Sequence, residues 1–229
     1  MDIDETYEND DLEVLQEYNK IIERDYVKQI VAYVDGSYNK TTQKIGGGIV
    51  LLLMDEFYEV RHVLINPITC GESWESMVEN PKNPKNEDFL AMHQVGGEID
   101  SALAAAHTAM SVGLPITIVY DYLGVEMWAT GEWKRNKPFT QKYHHLMNIY
   151  ITPVIDVTFE KVKSHTGIQF NDLADVLAKY ACDVINGEAL LRYFNSHGYE
   201  LHPVAWVGPD ENDTDHEIVY LELVETSKE

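Results

Sequence analysis

Cysteine and long apolar runs are both scarce in this chain. Its two cysteines, Cys70 and Cys182, lie far apart and outside any CxxC or Cys/His spacing, which argues against a disulfide framework and a zinc site. No stretch reaches the roughly 18 uninterrupted apolar residues of a membrane helix, and the N-terminus is acidic where a secretory signal would be basic. We therefore expect a soluble, cytoplasmic protein with reduced thiols and no membrane partner.

Basic residues are also few. The chain has 17 Lys and Arg against 39 Asp and Glu, a net charge of −22, whereas nucleic-acid binders usually present a basic surface. The excess is concentrated at the ends, because residues 1–30 hold ten acids and three bases and residues 199–229 hold nine acids and one base. The middle of the chain carries the remaining −7, so a nucleic-acid partner is not excluded there.

The hydrophobic pattern divides the chain into three parts. Residues 1–28 are predicted to form an acidic N-terminal extension with one amphipathic helix, and residues 29–186 a central domain. Residues 187–229 are predicted to form an acidic C-terminal extension with one strand near Ile218.

The central domain shows a recognisable order of elements. Three segments rich in β-branched residues predict an antiparallel meander, and a long excursion from Pro67 to Gln94 follows. The pattern then predicts a core helix from Gly96, a strand ending in Asp121, a helix, a strand and a last helix. This βββαβαβα order indicates a mixed sheet with helices on its faces. The last helix is predicted to turn five side chains inward: Leu173, Val176, Leu177, Tyr180 and Val184.

Four acidic residues stand out by their positions. Asp35 and Asp121 lie at the carboxyl ends of predicted strands, where open α/β sheets bind their ligands; Glu98 opens the first core helix; and Asp175 lies on the last helix, beside Lys179. Each one alone is also consistent with a turn cap or a helix-dipole partner. Together they would repel one another unless cations bridged them, and carboxylates suit Mg²⁺ or Mn²⁺.

Four stretches of the chain resemble the ribonuclease HI (type I ribonuclease H) family: "YVDGSYN", "GGEIDSALAAA", "IVYDYLGVEMW" and "VKSHTGIQFNDLADVLA". The resemblance covers about residues 29–186. It implies a ribonuclease H-like α/β fold, a mixed five-stranded sheet of three antiparallel and then two parallel strands flanked by helices, with the acidic extensions outside it.

The resemblance also implies a metal site and a reaction. Asp35, Glu98, Asp121 and Asp175 would bind two Mg²⁺ ions, with Mn²⁺ as a substitute, and His165, ten residues before the last of them, would assist catalysis. The implied activity is an endonuclease that hydrolyses the RNA strand of RNA/DNA hybrids and leaves 5′-phosphate and 3′-hydroxyl ends.

The family's substrate-binding positions match this chain less directly than its metal ligands do. Selection of RNA requires contacts to 2′-hydroxyl groups in a shallow minor groove, and the resemblance implies that Gly36, Ser37 and Gln94 make them. Asn171, on the last helix, is a further candidate.

One segment of the central domain, "WATGEWKRNKPFTQKYHH", is both basic and aromatic. Its residues could hold the DNA strand, with rings against sugars or bases and cations on phosphates. A plain helix connection with half-buried tryptophans is the alternative. The resemblance implies a basic handle at this place, and the short spacing between the last two acidic residues implies that any such handle is abbreviated here. The candidates are Trp128, Trp133, Lys134 and Asn136.

Two other functions remain open. A nuclease of the same fold with a different substrate is less favoured, since the first strand lacks the DxE pair that an exonuclease relative would have. A binding or scaffold domain without turnover is opposed by the presence of all four acidic residues. The terminal extensions could dock a protein partner, mediate self-association or repel phosphates.

Overall fold

The computed structural model describes residues 26–70, 89–163, 167–207 and 218–225. Its strands are β1 (Gln29–Tyr38), β2 (Ile45–Met54), β3 (Val60–Thr69), β4 (Ile116–Tyr120), β5 (Val157–Lys161), β6 (Tyr199–Val207) and β7 (Ile218–Glu225). Its helices are α1 (Gln94–Ser111), α2 (Gly124–Thr130), α3 (Pro138–Leu146) with a π-helical turn after it (Met147–Ile151), α4 (Gln169–Ala181) and α5 (Gly187–His197). The predicted N-terminal helix lies outside the described residues. Among the helices within them, none combines the length and the apolar character needed to cross a bilayer.

The strands form one sheet in the order β5-β4-β1-β2-β3-β7-β6. Strands β1, β2 and β3 pair antiparallel, whereas β4 pairs parallel with both β1 and β5. These five strands and their flanking helices confirm the predicted fold class. Beyond them, β7 pairs antiparallel with β3, and β6 with β7, so the C-terminal part of the chain extends the same sheet.

The two faces of the sheet carry different helices. Ile30, Ala32 and Val34 of β1 belong to the apolar core beneath α1, while Val31 and Tyr33 belong to the core beneath α4 and α5. This alternation follows from the two-residue period of a strand. Strand β2 is buried along nearly its whole length, because it lies in the middle of the sheet with helices on both sides.

Two glycines bring the helices close to the sheet. A Cβ atom on Gly36 would overlap the carbonyl oxygen of Gln94 in α1, and a Cβ atom on Gly48 would overlap the carbonyl oxygen of Ala174 in α4. Gly48 pairs with Asp35 across β1 and β2. Both helix backbones therefore rest directly on the sheet at the level of Asp35.

The buried side of α4 differs from the prediction. Leu173 and Leu177 are buried, but Tyr180 is 36% exposed, and Val184 lies beyond the end of the helix and is 47% exposed. The position that faces the sheet is occupied by the small side chain of Ala174, since the glycine-lined surface of β2 leaves room for little more.

The excursion after the meander also begins later than predicted. Pro67 still belongs to β3, which pairs with β2 as far as Thr69. Of the excursion itself, residues 71–88 lie outside the described part of the chain.

Candidate active site

The site is built first from two parallel neighbouring strands. Strand β1 pairs with β4 up to Tyr33 opposite Val119, and Asp35 and Asp121 each follow two residues later. The two acidic residues thus lie side by side at the carboxyl end of the sheet. Both are partly buried, so their charges are less well solvated than those of surface carboxylates.

Glu98 reaches this point from above the sheet. Helix α1 begins at Gln94, so Glu98 lies one turn inside the helix and does not open it as predicted. The glycines that precede Glu98 in sequence are helical, and one of them, Gly97, packs on Gly36. Glu98 is only 4% exposed. Its Oε1 accepts hydrogen bonds from the backbone N–H groups of Asp121 at 3.3 Å and Tyr122 at 3.1 Å.

Asp175 approaches from the opposite face of the sheet. It lies on α4 one residue after Ala174, whose backbone contacts Gly48. Its carboxylate accepts a hydrogen bond from Lys179, one helical turn later, at 2.6 Å. The Asp175 side chain is 19% exposed, so this ion pair is accessible to solvent.

The charges of these side chains act on one another. The pKa of Asp35 is raised to about 7, mainly by burial and also by the charges of Asp121 and Asp175, against the lowering effect of the Gly36 N–H. Burial likewise raises the pKa of Glu98 well above its usual range, and the charges of Asp121 and Asp35 act in the same direction. We call these four residues, Asp35, Glu98, Asp121 and Asp175, the carboxylate group.

The chemistry of the carboxylate group suits a hard cation. Oxygen ligands are those that Mg²⁺ and Mn²⁺ prefer, and a cation would relieve the repulsion that helps raise the pKa of Asp35. Across the described ranges, no set of three or more His, Cys, Asp and Glu side chains is arranged so that it could hold a metal ion. Asp175 and Glu98 are instead hydrogen-bonded to donors of the protein itself. Cation binding would therefore draw Asp175 away from Lys179.

Three of the predicted substrate-binding residues adjoin the carboxylate group. Gly36 lies against the carbonyl of Gln94, and the side chain of Gln94 is exposed beside it. Ser37 is half-buried next to them. The structure thus brings the three residues together at one border of the site.

The predicted aromatic and basic residues lie at another border. Trp128 and Trp133 meet edge to face with ring centroids 5.7 Å apart, and Trp133 is 37% exposed. Lys134 and Asn136 are exposed in the connection after α2. The ammonium group of Lys137 donates to the carbonyl of Ala91 at 3.2 Å, which ties this connection to the turn before α1.

Two predicted site residues remain. Asn171 is buried one turn before Asp175, and within the described residues its Oδ1 accepts no hydrogen bond. His165 lies outside the described residues.

Three aromatic neighbours of the site were missed by the sequence analysis. Tyr122 packs against both tryptophans, with ring centroids 5.8 Å and 6.3 Å away. Tyr38 and His93 stack with centroids 4.3 Å apart, and His93 has a φ of 52° just before α1. Tyr122, next to Asp121, and Tyr38, within the "YVDGSYN" motif, could have been noted; His93 carries no such signal.

Among known proteins, the chain is similar to several solved structures. No family model matches the chain, and no curated protein does. The chain is similar to RNase H1 of the halophilic archaeon Halobacterium salinarum, with 20% identity, coverage of 69% of this chain and 99% of that one, and a TM-score of 0.47.

Two further solved structures are similar to the chain to about the same degree. The N-terminal RNase H domain of a Mycobacterium tuberculosis protein shows 20% identity over 69% of this chain and 95% of that one, with a TM-score of 0.46. LC11-RNase H1, solved in complex with an RNA/DNA hybrid, shows 15% identity over 71% and 99% of the two chains, with a TM-score of 0.45. These structures thus come from the ribonuclease H family that the four sequence motifs resemble.

Proposed function

We propose that this protein is a ribonuclease H that hydrolyses the RNA strand of RNA/DNA hybrids with two divalent cations and leaves 5′-phosphate and 3′-hydroxyl ends. One observation carries the proposal. At the carboxyl end of the sheet, the charges of Asp121 and Asp175 raise the pKa of Asp35, and those of Asp121 and Asp35 raise the pKa of Glu98. Such a concentration of negative charge is unfavourable without cations, and hard cations are the natural occupants.

The four residues of the carboxylate group would hold the cations together. Asp35, with Asp121 beside it and Glu98 and Asp175 on the two faces, would help to hold both ions. Bound cations supply an activated water and stabilise the departing 3′-oxygen of a phosphodiester. Glu98, fixed by two backbone N–H groups, would keep its orientation through the reaction.

The borders of the site would select the substrate. Gly36, Ser37 and Gln94 present backbone and small polar groups suited to the 2′-hydroxyls of an A-like minor groove. Trp133, Lys134 and Asn136 are exposed, as a DNA-strand contact requires. We propose Mg²⁺ as the cation and Mn²⁺ as its substitute, and a protein partner or self-association through the terminal extensions stays a prediction.

Cleavage of an end-labelled RNA/DNA hybrid tests the proposal. Duplex RNA, duplex DNA and single-stranded RNA are compared with the hybrid in Mg²⁺ and in Mn²⁺. The variant is Asp121→Asn, and Asp183→Asn is its control, because Asp183 is exposed and ion-paired with Lys44 away from the site. We expect cutting of the hybrid RNA alone, lost in Asp121→Asn and retained in Asp183→Asn.

Two other results would indicate a different function for the protein. Cutting of duplex DNA in preference to the hybrid would indicate a nuclease of the same fold with a different substrate. Hybrid binding without cutting in either metal, by protein shown to be folded, would indicate a binding domain.

A further inference from the structure

A partly buried hydrogen bond joins the strand and the helix that flank Asp121. The hydroxyl group of Tyr120, the last residue of β4, donates to Oε2 of Glu126 in the first turn of α2. Tyr120 is fully buried. Glu126 is half-buried, and its negative charge is also favourable at the N-terminal end of a helix.

The chain between these two residues is where Glu98 is held. The N–H groups of Asp121 and Tyr122 both donate to Glu98 Oε1, so this short connection orients two members of the carboxylate group at once. At one end, β4 is fixed by pairing with β1 and β5. At the other end, α2 is short, and the Tyr120–Glu126 hydrogen bond ties its first turn back to β4.

We propose that Tyr120 and Glu126 are positioning residues that fix the connection presenting Asp121 and holding Glu98. The inference rests on the proposed function, since it assigns the pair a role at the same metal site. Neither residue contacts the reacting atoms. Small misplacements of catalytic groups have large effects on rate, so loosening this connection should weaken cation binding and slow the chemical step.

A neighbouring hydrogen bond provides a matched control. The hydroxyl group of Tyr143, also fully buried, donates to the backbone carbonyl of Val125 at 3.1 Å. It ties the same helix, α2, to α3, and neither its donor nor its acceptor belongs to the connection at Asp121. Tyr143→Phe therefore removes a buried hydroxyl group and leaves the Tyr120–Glu126 hydrogen bond in place.

The test compares four variants of the full chain: Tyr120→Phe, Glu126→Ala, Glu126→Gln and Tyr143→Phe. The Mn²⁺ dissociation constant is measured by calorimetry without nucleic acid, and kcat, KM and thermal unfolding are measured alongside. We expect Tyr120→Phe and Glu126→Ala each to raise the Mn²⁺ dissociation constant about fivefold and lower kcat about tenfold, with KM little changed.

The remaining variants separate positioning from plain stability. Glu126→Gln keeps an acceptor for the Tyr120 hydroxyl and should retain Mn²⁺ affinity. The double variant Tyr120→Phe/Glu126→Ala should be no worse than either single variant, because both remove the same hydrogen bond. Tyr143→Phe should lower the unfolding temperature and leave Mn²⁺ affinity unchanged.

The inference is overturned if Tyr120→Phe and Glu126→Ala behave like Tyr143→Phe, with a lower unfolding temperature and unchanged Mn²⁺ affinity and kcat. A wild-type protein that binds Mn²⁺ but does not cut the hybrid would remove the proposed function, and the Mn²⁺ titrations would still decide the role of the pair. A wild-type protein that binds no Mn²⁺ would overturn the inference as well.

Discussion

Glu98 and Asp175 face the same carboxylate group from opposite sides of the sheet, and they are held in different ways. Glu98 is 4% exposed and receives hydrogen bonds from the backbone of a neighbouring connection. Asp175 is 19% exposed and is paired with Lys179 on its own helix. One carboxylate is thus fixed by the fold, whereas the other is held by a side chain that a cation can displace.

Substituting the two residues gives the largest effect expected from this comparison. We expect Glu98→Gln to lower kcat by about 10³-fold, since the buried site offers nothing to replace the lost charge. Asp175→Asn should lower kcat by about 10²-fold or less, because water can reach the vacated position. Single-turnover cleavage of the hybrid in Mg²⁺ measures both; equal losses would contradict the distinction.

Gly36 lies beneath α1 and Gly48 beneath α4, so substituting each one compares the two faces of the sheet by the loss of stability. Gly36→Ala forces α1 away from the sheet, and Gly48→Ala does the same to α4, because in each case the added Cβ meets a helix carbonyl. We expect each to lower the free energy of unfolding by about 3 kcal/mol. Urea denaturation measures the loss.

Gly187→Ala is the matched control for these two variants. A Cβ atom at Gly187 meets no atom within 4 Å, so stability should be unchanged or slightly raised. A loss there as large as at Gly36 would show that close approach to the helices is not the cause.

The charge of Asp35 makes stability depend on pH in the metal-free protein. The pKa of Asp35 rises from 3.8 to about 7 on folding. Between these two pH values the folded chain binds a proton that the unfolded chain releases. Stability therefore falls as pH rises from about 4 to about 7. We expect Asp35→Asn to remove this decline and to stabilise the metal-free protein by about 4 kcal/mol at about pH 8.

Urea denaturation in a chelator at several pH values checks this prediction. Near pH 4 both proteins carry an uncharged side chain at this position in the folded state, so their stabilities should converge. A wild-type stability that rises between pH 4 and pH 7 would contradict the proposed sign.

The smallest expected effect concerns Lys179. Lys179→Met removes the cation paired with Asp175, which should lower the Mn²⁺ dissociation constant roughly two- to threefold. Stability should change by less than about 0.5 kcal/mol, because the pair is solvent-accessible. Lys44→Met, which breaks the exposed pair with Asp183, is the control and should not change Mn²⁺ binding.

The sequence predicted the three antiparallel and two parallel strands of the central sheet because each strand shows a local pattern of apolar residues. Alternating apolar residues mark β1, and Asp35 follows them directly in the chain. The register that places Asp121 beside Asp35 depends on strands far apart in sequence, and only the fold order implied it.

What the sequence did not predict depends on contacts between distant elements. The inward side of α4 was misjudged at Tyr180 because hydrophobicity favours tyrosine over alanine, whereas the glycines of β2 require a small residue opposite them. The hydrogen bonds from Asp121 and Tyr122 to Glu98 join residues more than 20 positions apart and have no sequence signal. The three consecutive glycines of "IGGGI" were the one available hint of close helix packing.

The extension of the sheet by β7 and β6 has a consequence for handling the protein in parts. Four side chains of the core beneath α4 and α5 come from residues after 186: Leu190, Phe194, Tyr199 and Leu223. A fragment ending at residue 186 would lose them and leave the backbone of β3 as an open sheet edge. Such edges template pairing between molecules, so we expect the fragment to aggregate more readily than the longer chain.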